Sequence, residues 1–178
     1  MKNILILCGS GRRYGNSEKL ADAFITGASL HNKITKITLA NKKITPCSSC
    51  NYCQNHYGEC AIHDDMLEII TALQNNDILV ICSPVYYLGF SAQLKTVIDR
   101  TYAESALGRK IKSTILLSVS SKKDAFVSDC MTSSYQQLCD YLGYENLGVI
   151  FAKGFENPND IANSQILVDA FELGASFV

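Results

Sequence analysis

The stretch Asn3 to Ser17, NILILCGSGRRYGNS, constrains this chain more than any other. Its apolar run through Leu7 and Cys8 is too short for a buried helix and suits a central strand covered on both faces. A loop follows with Gly9, Gly11 and Gly15, two arginines and several hydroxyl or amide side chains. It runs into Asn16, read as an N-cap, and then into an amphipathic segment with Leu20, Phe24 and Ala28 at helical spacing. Strand, glycine-rich loop and helix N-terminus together make an anion site, because the unpaired N–H groups of the first helical turn face the loop. The competing interpretation is a plain turn with solvated arginines.

Two familiar phosphate loops are excluded. A dinucleotide fingerprint needs a third glycine where Tyr14 stands, and an acidic residue some 20 positions later that is lacking here. A Walker loop needs Gly-Lys followed by a hydroxyl residue, and Gly15 is followed by Asn16. What remains is Ser10, Asn16 and Ser17 as neutral groups with Arg12 as a fixed fork, a set that suits a terminal monophosphate.

Five strands alternate with five helices along the chain. The strands are Asn3 to Cys8, Lys33 to Leu39, Asp77 to Ser83, Ile111 to Val119 and Leu147 to Ala152. Helices follow each of them: one from Asn16, one opened by Asp64 and Asp65, one capped by Ser91, one over Phe126 to Leu142 stopped by Gly143, and one from Asn157-Pro158 through Phe171. In the third of these, Leu94, Val97, Ile98 and Tyr102 form the expected buried stripe; in the fourth, Val127, Cys130, Met131, Ser134, Leu138 and Tyr141 do. This alternation predicts an α/β fold with a parallel sheet and helices on both faces. The polar second strand belongs at an edge, giving the order 2-1-3-4-5, with ligands at the carboxyl ends of the strands near the switch point. Three loops converge there: Gly9 to Ser17, Pro84 to Phe90 and Val119 to Lys123.

With 178 residues, 47% of them hydrophobic, the chain can fill one core, and residues 1–178 read as a single domain. A net charge of −1 favours neither nucleic acid nor an anionic membrane as partner. No leader-like segment or membrane span is apparent, so the expected location is cytoplasmic, where eight cysteines imply reduced thiols, metal ligands or redox chemistry.

In the second loop Val85, Tyr86, Tyr87 and Leu88 set apolar and aromatic groups beside the phosphate loop, where a flat ring attached to that phosphate would lie. Phosphate plus ring suggests flavin mononucleotide; ordinary packing at a strand end is the alternative. Together GSGRRYGNS, PCSSCNYCQNHYGECAIHDDM and SPVYYLGFSAQLKTVIDR, in this order between Lys2 and Tyr102, resemble the flavodoxin-like NAD(P)H-dependent FMN reductases, including their iron–sulfur flavoprotein branch. That resemblance implies a flavodoxin-like three-layer sandwich. It also implies that Ser10, Arg12, Gly15, Asn16 and Ser17 bind FMN phosphate, and that Pro84, Val85, Tyr86 and Tyr87 line the ring. The third loop offers Ser120 and Ser121 where family members often carry glycine. By the same resemblance NAD(P)H is cosubstrate and the acceptor a flavin, quinone or similar small molecule. Homodimers or homotetramers are implied too. No side chain is named as an acid or base, since the flavin carries the chemistry.

Residues 44–62 lack periodicity and hold Cys47, Cys50, Cys53 and Cys60 in the pattern C-x2-C-x2-C-x6-C. Spacings of three let successive thiolates converge from a tight turn while the longer arm closes around a metal centre. Zinc sites usually pair two C-x2-C arms across a longer insert. The pattern resembles the compact motif that holds a [4Fe–4S] cluster in iron–sulfur flavoproteins, which would imply transfer to a ferredoxin-like protein. Unmetallated thiols and zinc remain the alternatives. Cys8, Cys82, Cys130 and Cys139 read as small core residues, and His56 and His63 as solvated.

Overall fold

A computed structural model describes all 178 residues. Strands β1 (Asn3–Cys8), β2 (Lys33–Thr38), β3 (Ile78–Pro84), β4 (Ser113–Ser120) and β5 (Glu145–Lys153) form one sheet in the order β2-β1-β3-β4-β5. Every neighbouring pair is parallel. Helices α1 (Asn16–Ala28), α2 (Tyr52–Asn55), α3 (Met66–Gln74), α4 (Ala92–Arg100), α5 (Tyr102–Ser105), α6 (Ala125–Leu142) and α7 (Gln165–Ala175) complete the chain. No helix is long and apolar enough to cross a membrane.

The pleat of the central strands divides the core in two, as alternation of side chains requires. Leu5, Leu7, Leu79, Ile81 and Leu116 point to one face and pack with Ile69, Leu73, Leu94, Val97 and Met131 of α3, α4 and α6. Ile4, Ile6, Cys8, Val80, Cys82 and Leu117 point to the other, against Leu20 and Phe24 of α1 and Ala170 of α7. The result is the three-layer arrangement expected, with the polar β2 at one edge.

On the second face α1 and α7 touch backbone to backbone. A Cβ on Gly27 would sit 2.1 Å from the Phe171 carbonyl oxygen, and one on Gly174 would sit 2.2 Å from that of Phe24. Only glycine at both positions permits this crossing.

Several local expectations need correction. The N-cap of α1 is Gly15, and Asn16 is the first helical residue. On α6 the buried residues are Val127, Ser128, Met131, Tyr135 and Cys139, while Cys130, Ser134 and Tyr141 are exposed and Leu138 is half-buried. A stride of four from Val127 reaches Tyr135, whose hydroxyl is satisfied at Asn146 Oδ1 (3.3 Å), so the phenol can enter the core. Tyr102 lies beyond α4, as the first residue of α5, and is 48% exposed; Arg100 ends the buried stripe of α4 instead. The last helix begins at Gln165, not at Asn157-Pro158. Asp160 accepts from the N–H groups of Glu156 and Asn157, and Asn159 and Asn163 take left-handed backbone conformations, so residues 157–164 form turns.

Candidate functional site

At the end of β1 the Gly9 N–H donates to the Cys82 carbonyl (2.7 Å), carrying the parallel ladder one residue into the loop. A Cβ on Gly9 would stand 2.8 Å from Leu94 Cβ and 2.9 Å from Ser91 Oγ, so α4 can approach only a bare backbone here. Ser91 caps α4 by accepting from the Leu94 N–H (3.3 Å), and its hydroxyl donates to the Gly9 carbonyl (2.6 Å). One serine thus locks the first loop to the second. Ser10 Oγ accepts from the Arg12 N–H (3.1 Å) and tightens the turn that follows.

No side chain caps the first turn of α1, so its leading N–H groups face the loop with donors to spare. Ser10, Asn16 and Ser17 are buried at this end and Arg12 is exposed beside it. The Asn16 amide also reaches outward: Nδ2 donates to the Asn157 carbonyl (2.9 Å) and Oδ1 accepts from the Ile161 N–H (3.4 Å). It therefore pins the β5–α7 connection over the loop.

Ser10, Arg12, Gly15, Asn16 and Ser17 share a cleft of about 180 Å³ with Pro84, Val85, Tyr86 and Ser121. Phe155 and Glu156 close its far side, and sequence reasoning missed both. They follow β5, where the chain turns back over β4 through N–H bonds from Gly154 and Phe155 to the Ser120 carbonyl (2.8 and 3.0 Å). Reading Asn157-Pro158 as a helix start concealed that return. Val85, Tyr86 and Ser121 also line an adjoining trough of about 580 Å³ with Tyr87, Leu88, Ser120 and Phe126. A narrow polar end with free donors thus opens into a broader apolar space, a shape and donor set that fit a phosphorylated flat ring.

The wall of the trough is strained. Tyr86 and Gly89 exchange backbone hydrogen bonds (3.1 and 3.2 Å) around Tyr87 and Leu88, whose φ values are 46° and 68°. Tight turns with two positive φ angles normally use Asn and Gly, so a tyrosine and a leucine there are a departure that points to a role for their side chains.

The four cysteines of residues 44–62 lie by the C-terminal end of α4. Cys47 and Cys50 are exposed and Cys53 and Cys60 half-buried, and all four line one cavity of about 480 Å³ together with Arg100 and Tyr102. Hydrogen bonds from the Tyr52 N–H and the Ser48 hydroxyl draw the Cys50 thiol below its ordinary pKa. No three His, Cys, Asp or Glu side chains are grouped closely enough to ligate a single ion. As a soft, all-sulfur donor set around one space, the thiols fit an iron–sulfur cluster in chemistry. His56 stacks on Tyr52 and bonds its carbonyl through Nδ1 (2.9 Å), and His63 is exposed. The buried Arg100 went unnoticed in the sequence, although Leu94, Val97 and Arg100 at steps of three put it on the apolar face.

Residues 2–134 match the family described as NADPH-dependent FMN reductase. The chain belongs to that family. Among its relatives, an iron–sulfur flavoprotein of Archaeoglobus fulgidus is 42% identical over 103 residues, covering 56% of this chain and 45% of that protein. Another, from Methanosarcina thermophila, is 32% identical over 96 residues, 53% of this chain and 50% of the relative. The chain spans about half the length of these curated relatives. Over its whole length the fold is similar to an NAD(P)H:quinone oxidoreductase from Methanothermobacter marburgensis, with a TM-score of 0.78 at 18% identity, covering 98% of this chain and 94% of that one. The family's description joins NADPH to FMN.

Proposed function

We propose that the protein binds FMN in the cleft and trough and passes electrons from NAD(P)H to a small acceptor such as a flavin or quinone. The observation that carries this reading is the joining of a donor-rich cleft at the α1 N-terminus with an apolar trough from the second and third loops. When bound, FMN would supply two-electron chemistry that a nicotinamide can load and an acceptor can unload. Ser10, Gly15, Asn16 and Ser17 would hold the phosphate through backbone N–H groups and short polar side chains, with Arg12 adding charge-assisted bonds. Pro84, Val85, Tyr86 and Tyr87 would shape one wall of the ring site, and Ser120 and Ser121 the edge opposite. No side chain is assigned as acid or base. Residues 1–178 would act as one flavin-binding domain with the cysteine loop as an appendage.

FMN titration of purified protein, followed by steady-state NAD(P)H oxidation with flavin or quinone, tests this directly. Saturable binding with turnover supports it, and binding without turnover removes the reductase reading. Arg12→Gln is expected to weaken FMN binding at least tenfold, since a hydrogen bond to a charged group contributes about 1.5–3 kcal/mol.

A second reading is favoured by the cavity shared by Cys47, Cys50, Cys53 and Cys60. These thiolates would hold a [4Fe–4S] cluster, which supplies one-electron chemistry suited to a ferredoxin-like protein partner. Iron and sulfide assays on protein purified without oxygen separate the readings: about four irons per chain favour the second. A homodimer or homotetramer is also proposed, because Tyr86, Tyr87, Leu88 and Phe126 stand exposed beside the trough. A monomer in light scattering would refute it.

A further inference from the structure

Arg100 is the largest fully buried side chain in the molecule, with its side chain 1% exposed. Such burial of a guanidinium is costly unless its donors are spent well. Here they are spent almost wholly on the cysteine loop. Nη1 donates to the Thr45 carbonyl (2.7 Å) and to Asp64 Oδ2 (3.0 Å). Nη2 donates to the Ile62 carbonyl (3.2 Å), Asp64 Oδ1 (3.2 Å) and Cys60 Sγ (3.3 Å). Asp64 in turn accepts from the Thr45 N–H (2.8 Å). Thr45 lies before the first cysteine, Ile62 and Asp64 after the last, so one side chain ties the two ends of the loop together.

The loop is seated on the α4–α5 junction at a second point, where Gln54 Nε2 donates to the Tyr102 carbonyl (2.9 Å) and Ser105 Oγ (3.1 Å). Cys47, Cys50 and Cys53 follow one another at steps of three, whereas Cys60 comes seven residues later. The hydrogen bond from Arg100 is the one its sulfur makes. Arg100 Nε has no partner at all, so the guanidinium is aimed for its other contacts at the expense of this donor.

We propose that Arg100 is a positioning residue for the four-thiol site: by clasping Thr45 to Ile62 and Asp64 and hydrogen-bonding Cys60 at the wall of the cavity the four cysteines share, it fixes the loop's ends so that the four thiols can close around a thiophilic metal centre. This rests on reading the cysteine loop as a metal site. Lysine cannot substitute, because one ammonium lacks the planar fork that meets acceptors on four residues at once.

The test is an anaerobic titration of the reduced, metal-free 178-residue chain with Co²⁺, whose sulfur-to-cobalt absorption reports how many thiolates bind it. Wild type, Arg100→Lys, Arg100→Gln, Cys60→Ser and the double variants at positions 60 and 100 are compared. The wild type is expected to show four-thiolate absorption. Both Arg100 variants should bind at least tenfold more weakly, with absorption reduced to that of Cys60→Ser, and replacing Arg100 in the Cys60→Ser background should cost little more. Arg100→Lys keeps a positive charge beside Asp64 and carries the comparison if the glutamine variant unfolds. The proposal is overturned if Arg100→Lys matches wild type. It is equally overturned if losing Arg100 weakens binding as much without Cys60 as with it, which would mark a general effect on folding. A wild type without sulfur-to-cobalt absorption overturns the metal-site reading and the proposal together, and is told apart because it fails before any substitution.

Discussion

Asp64 and Glu104 both sit beside arginines, yet their carboxyls are shifted in opposite directions. Burial raises Asp64, but hydrogen bonds from Arg100 and from the Thr45 and Met66 N–H groups outweigh it, and the carboxyl ends below its ordinary pKa. Glu104 is fully buried, and there burial prevails over Arg109 (3.3 Å) and Gln74 (3.2 Å), leaving its pKa raised. The signs of the two contributions to stability follow. Folded Asp64 binds its proton more weakly than the unfolded chain does, so its contribution is present above the ordinary carboxyl range and is lost as pH falls through the lowered folded value. Folded Glu104 binds its proton more tightly, so its contribution is full below the ordinary range and is lost as pH rises through the raised folded value. Thermal unfolding from acidic to neutral pH should therefore show a shallower acid loss in Asp64→Asn. Glu104→Gln should lack the decline that the wild type undergoes on the neutral side. Matching profiles in wild type and variants would refute both assignments.

Among the elements, the crossing of α1 and α7 depends on the narrowest tolerance. The Cβ of Gly27→Ala or Gly174→Ala would meet backbone atoms that no rotamer change can clear, so each should destabilise the fold by about 3 kcal/mol or more in chemical denaturation. A loss below ~1 kcal/mol would mean that the two helices separate easily. This crossing was not legible in the sequence, because a glycine inside a helical pattern looks the same whether it faces solvent or another backbone. By contrast β1 and β3 were legible as continuous apolar runs, β4 was legible within Ile111 to Val119, and the polar alternation of β2 placed it at the edge. The first loop was legible as a glycine-rich connection from strand to helix, and its Ser10, Arg12, Gly15, Asn16 and Ser17 do meet in one cleft. What escaped were side chains whose surroundings come from distant segments, namely Arg100 under the cysteine loop and Phe155 and Glu156 returning over the cleft. The face of α6 was misread because the tyrosine that fills it needs Asn146, supplied by the next strand, to bury its hydroxyl.

For the whole molecule, the cleft draws on segments far apart in the chain: the β1–α1 loop, the ends of β3 and β4, and the β5–α7 connection held by Asn16. A ligand seated there would bridge both layers of helices and the sheet, and would bind only the folded chain. Its binding free energy would then add to stability by mass action, about 2.7 kcal/mol at a hundredfold excess over Kd. A domain of this size shifts its midpoint by roughly 2–4 °C per kcal/mol, so saturating FMN should raise Tm by about 5–11 °C. Riboflavin, which lacks the phosphate, should give a clearly smaller rise at equal concentration, because the donors at the α1 N-terminus and Arg12 would find no anion. Equal shifts with the two ligands would leave the glycine-rich loop without a part in binding; no shift with either would refute the flavin site itself.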